Sequence, residues 1–124
     1  PSYRQYGQGF TLTRNDRNWF FGHYAPLGNR SSRRISPLRA EILSCQPPTF
    51  LATAEYDVLR SEGKAYANRL SDAGVPVVYQ CYEGVTHGFI RLHNLVDVAD
   101  RALTDISKFI IERCQCPLSG IPKP

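Results

Sequence analysis

Two stretches decide the fold of this chain: PTFLATAEYD at residues 48–57 and VVYQCYEGVTHGF at residues 77–89. Each contains a short run rich in β-forming residues, Thr49 to Ala54 in the first stretch and Val77 to Tyr82 in the second. Apolar residues recur at helical spacing in the intervening segment 61–74. The pattern therefore predicts a strand, a helix and a second strand, and a connection of this kind joins parallel strands by a right-handed crossover.

Each of the two strands is followed by a loop that carries one residue able to hold or exchange a proton. Asp57 follows the first strand, and His87 follows the second. Because parallel neighbours share a direction, the two loops emerge side by side at the sheet edge where ligands of open α/β sheets gather. A carboxylate there can accept the Nδ1 proton of an imidazole and leave Nε2 free to take a proton from a nucleophile. If the two residues form such a pair, a carboxylate oxygen of Asp57 lies within about 2.6–3.2 Å of His87 Nδ1.

Spacing alone leaves a structural alternative open for each residue of this pair. Asp57 could only cap the following helix, although Ser61 is better placed for that role. His87 could be a loop histidine bonded to the backbone. The other histidines, His23 and His93, lie in no comparable pattern, so we interpret them as packed or surface residues.

Length and composition predict one partial domain over residues 1–124. The 124 residues are 42% hydrophobic, which is enough for a globular core. We expect an irregular and helical lead-in over 1–48, a strand-helix-strand-helix unit over 49–113 and a frayed tail over 114–124. No apolar run approaches the roughly 20 residues of a membrane helix, and the N-terminus has neither a Met nor a signal-like apolar segment. The chain looks like one that begins in mid-domain, and we expect a cytoplasmic protein.

Charge and cysteine usage argue against several other classes of function. The net charge of +4 divides into +5 over residues 1–48 and −1 over residues 49–124. The arginines between Arg30 and Arg39 lack interleaved aromatic residues and any nucleic-acid fold signature, so we interpret them as a solvated loop and expect no nucleic-acid partner. Four cysteines stand apart from any metal-binding pattern and are expected to be reduced thiols: Cys45, Cys81, Cys114 and Cys116.

Two further helices flank the strand-helix-strand unit. Thr13 and Asp16 have the spacing of a capping box, which predicts a helix start. This helix has an aromatic face and a Pro-Gly end, formed by Trp19, Phe20, Tyr24, Pro26 and Gly28. The second helix is amphipathic, with Asn94 as its expected cap and apolar residues every three or four positions up to Ile110.

The residues around both loops form a longer pattern that is more specific than the spacing. It consists of LATAEYDVLRSEG at 51–63, YANRL at 66–70, AGV at 73–75 and YEGVTHGF at 82–89. This pattern closely resembles the C-terminal part of the hormone-sensitive-lipase-like branch of the α/β-hydrolases. SPLRA at 36–40 and the helix around Trp19 match the same family, so that the resemblance covers residues 10–112.

The resemblance implies a fold, an activity and roles for residues. The fold is α/β, the C-terminal portion of an α/β-hydrolase with parallel strands and an incomplete sheet. Asp57 is implied as the triad acid and His87 as the triad base, with Gly88 and Phe89 shaping the loop around the base. Family members hydrolyse carboxylic esters, mostly with short or medium acyl chains, through a serine acyl-enzyme and without a metal or organic cofactor.

The chain also departs from the family pattern. It contains neither the Gly-x-Ser-x-Gly nucleophile elbow nor a His-Gly-Gly oxyanion loop. Thr86 stands at the centre of GVTHG, which has the glycine spacing of an elbow, but it follows the last strand and adjoins the base, so we expect no nucleophilic role. We therefore expect a chain that is inactive alone and needs the N-terminal part of the hydrolase as its partner.

The first strand is expected to leave one apolar sheet edge open, and such an edge recruits a partner strand. One expectation is a homodimer that pairs through residues 49–54. The alternative class of function is a non-catalytic, hydrolase-derived interaction module, which would use the surface from Arg30 to Arg39.

Overall fold

The computed structural model describes residues 1–25, 30–41 and 43–114. Two short 3₁₀ turns, Pro37–Arg39 and Phe89–Leu92, accompany the regular elements. In chain order these elements are α1 (Ser2–Gln5), α2 (Arg14–Tyr24), β1 (Thr49–Tyr56), α3 (Arg60–Asp72), β2 (Val77–Thr86) and α4 (Asp97–Cys114). The α4 helix includes Cys114, which we had assigned to the tail, and residues 115–124 lie outside the described part.

The predicted parallel strand pair is confirmed, with β1 and β2 adjacent in a two-stranded sheet. The register begins with Thr49 opposite Val77 and continues in step to Ala54 opposite Tyr82. Both strands are longer than the sequence predicts: β1 extends two residues further, to Tyr56, and β2 four residues further, to Thr86.

The additional strand residues enclose a bulge. After the pair of Ala54 and Tyr82, the next aligned pair is Tyr56 and Thr86, so β1 advances two residues while β2 advances four. Gly84 lies inside the bulge with φ of +74°, a conformation that favours glycine, and its N–H donates to Glu55 Oε2 at 2.9 Å. The extra residues move the rest of β2 back by two positions relative to β1.

Helices α3 and α4 lie on opposite faces of the sheet. A Cβ on Gly63 of α3 would meet Thr53 Cγ2 at 2.8 Å, so α3 packs directly against β1 there. On the other face, Phe50 of β1 lies edge-on to Phe109 of α4, with ring centroids 5.6 Å apart. The core on the α4 side contains Ala54, Tyr82, Val85, Phe89, Ala99 and Ala102, and the core on the α3 side contains Leu43, Leu70 and Val75.

The first strand is less buried than its apolar sequence indicates. We had expected burial on both faces, yet Ala54 is the one buried residue of β1 and the other seven are half-buried. Within the described residues, β1 has β2 on one edge and no strand on the other. The open edge is the physical reason, because a strand with a single neighbour is covered on one side only.

The helix before the sheet is capped as predicted, but its aromatic face is exposed. The Thr13 side chain accepts from the Asp16 backbone N–H at 3.1 Å, and Asp16 Oδ2 accepts from the Thr13 N–H at 2.9 Å. The Thr13 hydroxyl also donates to Asp16 Oδ2 at 2.6 Å, and this bond, together with that from the Thr13 N–H, lowers the pKa of Asp16. The aromatic side chains that face solvent are Trp19, Phe20 and Tyr24. The helix ends at Tyr24, and its predicted end residues Pro26 and Gly28 lie outside the described residues.

Two helix starts differ from the predictions. Ser61 is not the cap, because α3 begins at Arg60, which places Ser61 inside the first turn, and the N-cap residue is Leu59, which makes no side-chain cap bond. Asn94 adopts a left-handed φ of +66°, and α4 begins three residues later. Its N–H donates to the Asp100 carboxylate at 3.1 Å, which holds a turn ahead of the helix. Within the described residues, no helix is both long and apolar enough to cross a membrane.

Candidate active site

The two loops that follow β1 and β2 bring Asp57 and His87 together. His87 Nδ1 lies 2.8 Å from Asp57 Oδ2, which confirms the expected hydrogen bond. It is the one N–O ion-pair contact found among the described residues. With Nδ1 bonded to the carboxylate, Nε2 is the nitrogen left to exchange a proton with another group.

Asp57 is buried and held by its own loop. The residue is 7% exposed and follows directly after β1. Its second oxygen, Oδ1, accepts from the Leu59 backbone N–H at 2.8 Å, just before α3 begins at Arg60. The alternative from the sequence, in which Asp57 caps the following helix, is therefore present in part, but the other oxygen, Oδ2, remains available to His87.

The bulge in β2 places His87 opposite Asp57. A continuous register from Thr49 and Val77 would put Val85 level with Asp57. Because the bulge adds two residues to β2, Tyr56 pairs with Thr86, and the next position on each strand is the acid and the histidine. Sequence reasoning predicted the neighbouring loops but not this adjustment; the signal was Gly84, since a glycine inside a strand pattern often marks a bulge.

His87 is far more exposed than its partner, with 45% of its side chain accessible. Its backbone carbonyl accepts from Thr11 Oγ1 at 3.0 Å. Gly88 follows with φ of +79°, and Phe89 then returns to the core, with its ring 5.3 Å from that of Tyr82. Burial, followed by the hydrogen bond to Asp105, raises the pKa of Tyr82 to about 12.

The N-terminal segment supports both loops, which sequence reasoning missed by treating residues 1–10 as an irregular lead-in. Ser2 is fully buried, and its Oγ donates to the Val58 carbonyl at 2.7 Å and accepts from the Ser61 N–H at 3.1 Å. Further along, the Phe10 ring stacks on Tyr56 at 5.6 Å with an interplanar angle of 2°. The N-terminal segment thus contacts the chain after β1 and, through Thr11, the chain after β2.

A cavity of about 400 Å³ adjoins the pair. Asp57 and His87 line it together with β1, the start of α3 and Phe89. Its walls are mostly apolar, and the β1 residues that line it are Leu51, Ala52, Thr53 and Ala54. The imidazole therefore borders an apolar space alongside the strand that has an open edge.

The other candidates from the sequence do not join this pair. The His23 ring packs against Trp19 with centroids 4.5 Å apart, and His93 Nδ1 lies 2.8 Å from Asn94 Nδ2. Thr86 is the last residue of β2. In the described part of the chain, no three His, Cys, Asp or Glu side chains are grouped as metal ligands would be. Cys45 and Cys114 are exposed free thiols, Cys81 is half-buried, and Cys116 lies outside the described residues.

Comparison with known proteins identifies the family to which this fold and site belong. A family model described as alpha/beta hydrolase fold matches residues 1–91. The chain therefore belongs to this family, as the hormone-sensitive-lipase-like pattern of its sequence predicts.

The similar proteins include carboxylic ester hydrolases, and this chain spans a minority of their length. The ethyl acetate hydrolase of Pseudomonas putida is 38% identical over 104 residues, which cover 83% of this chain and 33% of that protein. Carboxylic ester hydrolase LipN of Mycobacterium tuberculosis is 40% identical over 92 residues, which cover 73% of this chain and 24% of that protein.

Solved structures of esterases contain the same architecture. The thermostable esterase of Pseudomonas putida ECU1011 superposes with a TM-score of 0.87 and 37% identity, over 92% of this chain and 37% of its own. The metagenomic carboxylesterase EstE1 also superposes with a TM-score of 0.87, at 31% identity, over 92% of this chain and 40% of its own. The strand-helix-strand-helix unit is thus part of an α/β-hydrolase fold with an incomplete sheet.

Proposed function

We propose that this chain supplies the acid and the base of a serine-dependent carboxylic ester hydrolase. The observation that carries the proposal is the 2.8 Å contact between Asp57 Oδ2 and His87 Nδ1 beside an apolar cavity. Asp57 fixes the imidazole with its Nδ1 proton inward, and His87 Nε2 removes the proton of a serine hydroxyl as it attacks the ester carbonyl. The same nitrogen then returns the proton to the departing alkoxide, and a water molecule repeats the sequence to release the acid.

The nucleophile and the oxyanion donors come, in this proposal, from polypeptide outside the 124 residues, because these contain no Gly-x-Ser-x-Gly and no His-Gly-Gly. The chain alone is therefore inactive, since an acid and a base without a nucleophile form no acyl-enzyme. The open edge of β1 is the docking position for the complementing segment, because this strand also lines the cavity beside His87. The substrates are esters with short or medium acyl chains, as in the family that the sequence resembles.

The alternative, a non-catalytic interaction module, does not require a paired acid and base. The Asp57–His87 geometry depends on a bulge, a buried carboxylate and an exposed imidazole in register. An interaction surface between Arg30 and Arg39 would not require this geometry in the loops after β1 and β2. Of the two proposed functions, the hydrolase is therefore the one that accounts for these features.

A chimeric enzyme tests the proposal. Residues 1–124 replace the matching third of the Pseudomonas putida ethyl acetate hydrolase, and hydrolysis of short-chain nitrophenyl esters is measured. We expect turnover that falls on the order of 10⁴-fold in His87→Ala and to a similar extent in Asp57→Asn. His93→Ala is the matched control, because it removes an exposed histidine outside the pair and should leave the rate unchanged.

Two outcomes count against parts of the proposal. A folded chimera in which His87→Ala keeps the parental rate would rule out His87 as the base. Saturable ester turnover by the isolated chain, lost in His87→Ala, would disprove its inactivity alone. Sedimentation of the isolated chain tests the open edge separately. The Thr49 N–H donates towards β2, so that by alternation the Ala52 N–H faces the open edge. A dimer abolished by Ala52→Pro indicates self-pairing through 49–54 in the absence of the complement.

A further inference from the structure

The imidazole of His87 makes few contacts that could fix its orientation. Its side chain is 45% exposed, and Asp57 Oδ2 is its one side-chain hydrogen-bond partner among the described residues. An exposed ring with a single bond keeps its orientation only if the backbone that carries it is fixed. The hydrogen bonds on either side of His87 are therefore the groups to consider.

On the N-terminal side, the fixing group is Glu55. Its Oε2 accepts the Gly84 N–H at 2.9 Å, inside the bulge that sets the register of β2. The Glu55 backbone carbonyl accepts from Arg60 Nη1 at 3.0 Å, and this bond connects Glu55 to the start of α3. Glu55 thus connects the bulge of β2 to the strand that carries Asp57.

On the C-terminal side, the fixing group is Thr11. Its hydroxyl donates to the His87 carbonyl at 3.0 Å, although the two residues are 76 positions apart. The segment that carries Thr11 is itself anchored, because Phe10 stacks on Tyr56 and Tyr6 packs edge-on against both rings. Tyr56 directly precedes Asp57, so Thr11 is held relative to the acid as well as to the base.

We propose that Thr11 and Glu55 are positioning residues for His87. Neither contacts the imidazole; each holds the backbone from which the ring reaches Asp57. The inference rests on the proposed function insofar as it treats His87 as a base. Its structural content, that the Asp57–His87 bond depends on two groups outside the pair, does not require any ester to be hydrolysed.

The test uses the full 124-residue chain with ¹⁵N-labelled histidine. Exchange of the His87 Nδ1 proton with solvent is measured by NMR in Thr11→Val and Glu55→Ala, alongside the thermal unfolding midpoint. Loss of either support should raise the exchange rate roughly threefold to tenfold, the effect of one net hydrogen bond. Thr11→Ser keeps the donor hydroxyl, and Glu55→Gln keeps an acceptor oxygen. Both variants should therefore exchange this proton at the parental rate.

Matched controls separate positioning from general destabilisation. Thr104→Val removes a hydroxyl that donates to the Asp100 carbonyl on α4. Glu83→Ala removes an exposed carboxylate inside the bulge, next to Gly84. Neither should change the exchange rate. Because the Thr11 bond is exposed, Thr11→Val should leave the unfolding midpoint nearly unchanged and carries the test even if Glu55→Ala fails to fold.

Unchanged exchange in Thr11→Val would overturn the proposal for Thr11, and equal acceleration in Thr104→Val would overturn the positional argument. Failure of the proposed function looks different: in that case the exchange rates respond as expected, while the chimeric esterase is indifferent to His87→Ala.

Discussion

The loop after β1 and the loop after β2 hold their functional side chains in opposite ways. Asp57 is 7% exposed, and the next residues of its own loop supply the second bond, from the Leu59 N–H. His87 has a side chain that is 45% exposed, and its backbone is held by Thr11 and by the Glu55–Gly84 bond, from distant parts of the sequence. The acid side chain therefore has a hydrogen bond from its own loop, whereas the backbone of the base is held by residues distant in sequence.

Because of this difference, changes in the two loops should affect two different properties: the free energy of unfolding and the geometry of the Asp57–His87 contact. Changes around Asp57 should alter the free energy of unfolding, because they affect buried contacts at the start of α3. Changes around His87 should mainly alter the contact between the two side chains. The following predictions test that separation.

The largest loss of stability is expected for Gly63→Val, on the acid side. A Cβ at this position already meets Thr53 Cγ2 at 2.8 Å, and a branched side chain must push α3 away from β1. Overpacking of this kind costs about 1–3 kcal/mol or more of unfolding free energy, measured by urea denaturation. Gly22→Val is the control, since a Cβ there meets nothing within 4 Å. Equal losses in both variants would show that α3 is not seated on Gly63.

Asp57→Ala should lower the unfolding free energy by about 1–3 kcal/mol, because the Leu59 N–H loses its acceptor next to α3. His87→Ala should change it by less than about 0.5 kcal/mol, because water replaces an exposed ring. Urea denaturation of the two variants side by side measures the contrast. Equal effects would contradict the distinction between a buried acid and an exposed base.

Gly84→Ala should cost about 1–2 kcal/mol, because a side chain is strained at φ of +74°. Gly74→Ala has a similar φ of +81° and equally open space at the end of α3, so its cost should be the same. Only Gly84→Ala lies in the bulge, and only it should accelerate exchange of the His87 Nδ1 proton. If both variants accelerated exchange of that proton, the bulge would not be the feature that positions His87.

The smallest effect is expected from pH, through Tyr82 in the core beneath the His87 loop. Burial raises the pKa of its hydroxyl from 10.0 to about 12, so the unfolded chain releases this proton first. Stability from this group is complete below pH 10 and is lost as the pH rises towards 12. In Tyr82→Phe the decline of unfolding free energy over this range should be shallower than in the parent. Parallel declines would show that Tyr82 does not contribute.

The sequence was sufficient for the strand pair, because the strand-helix-strand pattern implies parallel neighbours. The meeting of Asp57 and His87 was expected from the longer family pattern, because the loop positions alone left alternatives open for both residues. The bulge was not predicted, since Gly84 reads as part of a strand end until the register is known. Ser2 and Thr11 were missed for a related reason: their partners lie 59 and 76 residues away, and no periodicity in a Gly- and Tyr-rich segment indicates them. The predicted caps at Ser61 and Asn94 failed because the helices begin elsewhere. The Ser61 side chain lies inside α3 and accepts from the distant Ser2 N–H, and the Asn94 N–H donates to Asp100 in a local turn before α4 begins at Asp97.

The exposed aromatic face of α2 also determines what light can report about this molecule. Trp19 is the single tryptophan of the chain, and it is 62% exposed in the folded state. Because most of its surface is in water, its emission wavelength should lie close to that of a solvated indole, and unfolding of the sheet in urea should shift it little. A polypeptide that covers α2 removes that water and shifts the emission to shorter wavelength. The unlabelled chain thus carries an intrinsic optical probe of docking on α2, whereas its folding has to be followed by circular dichroism.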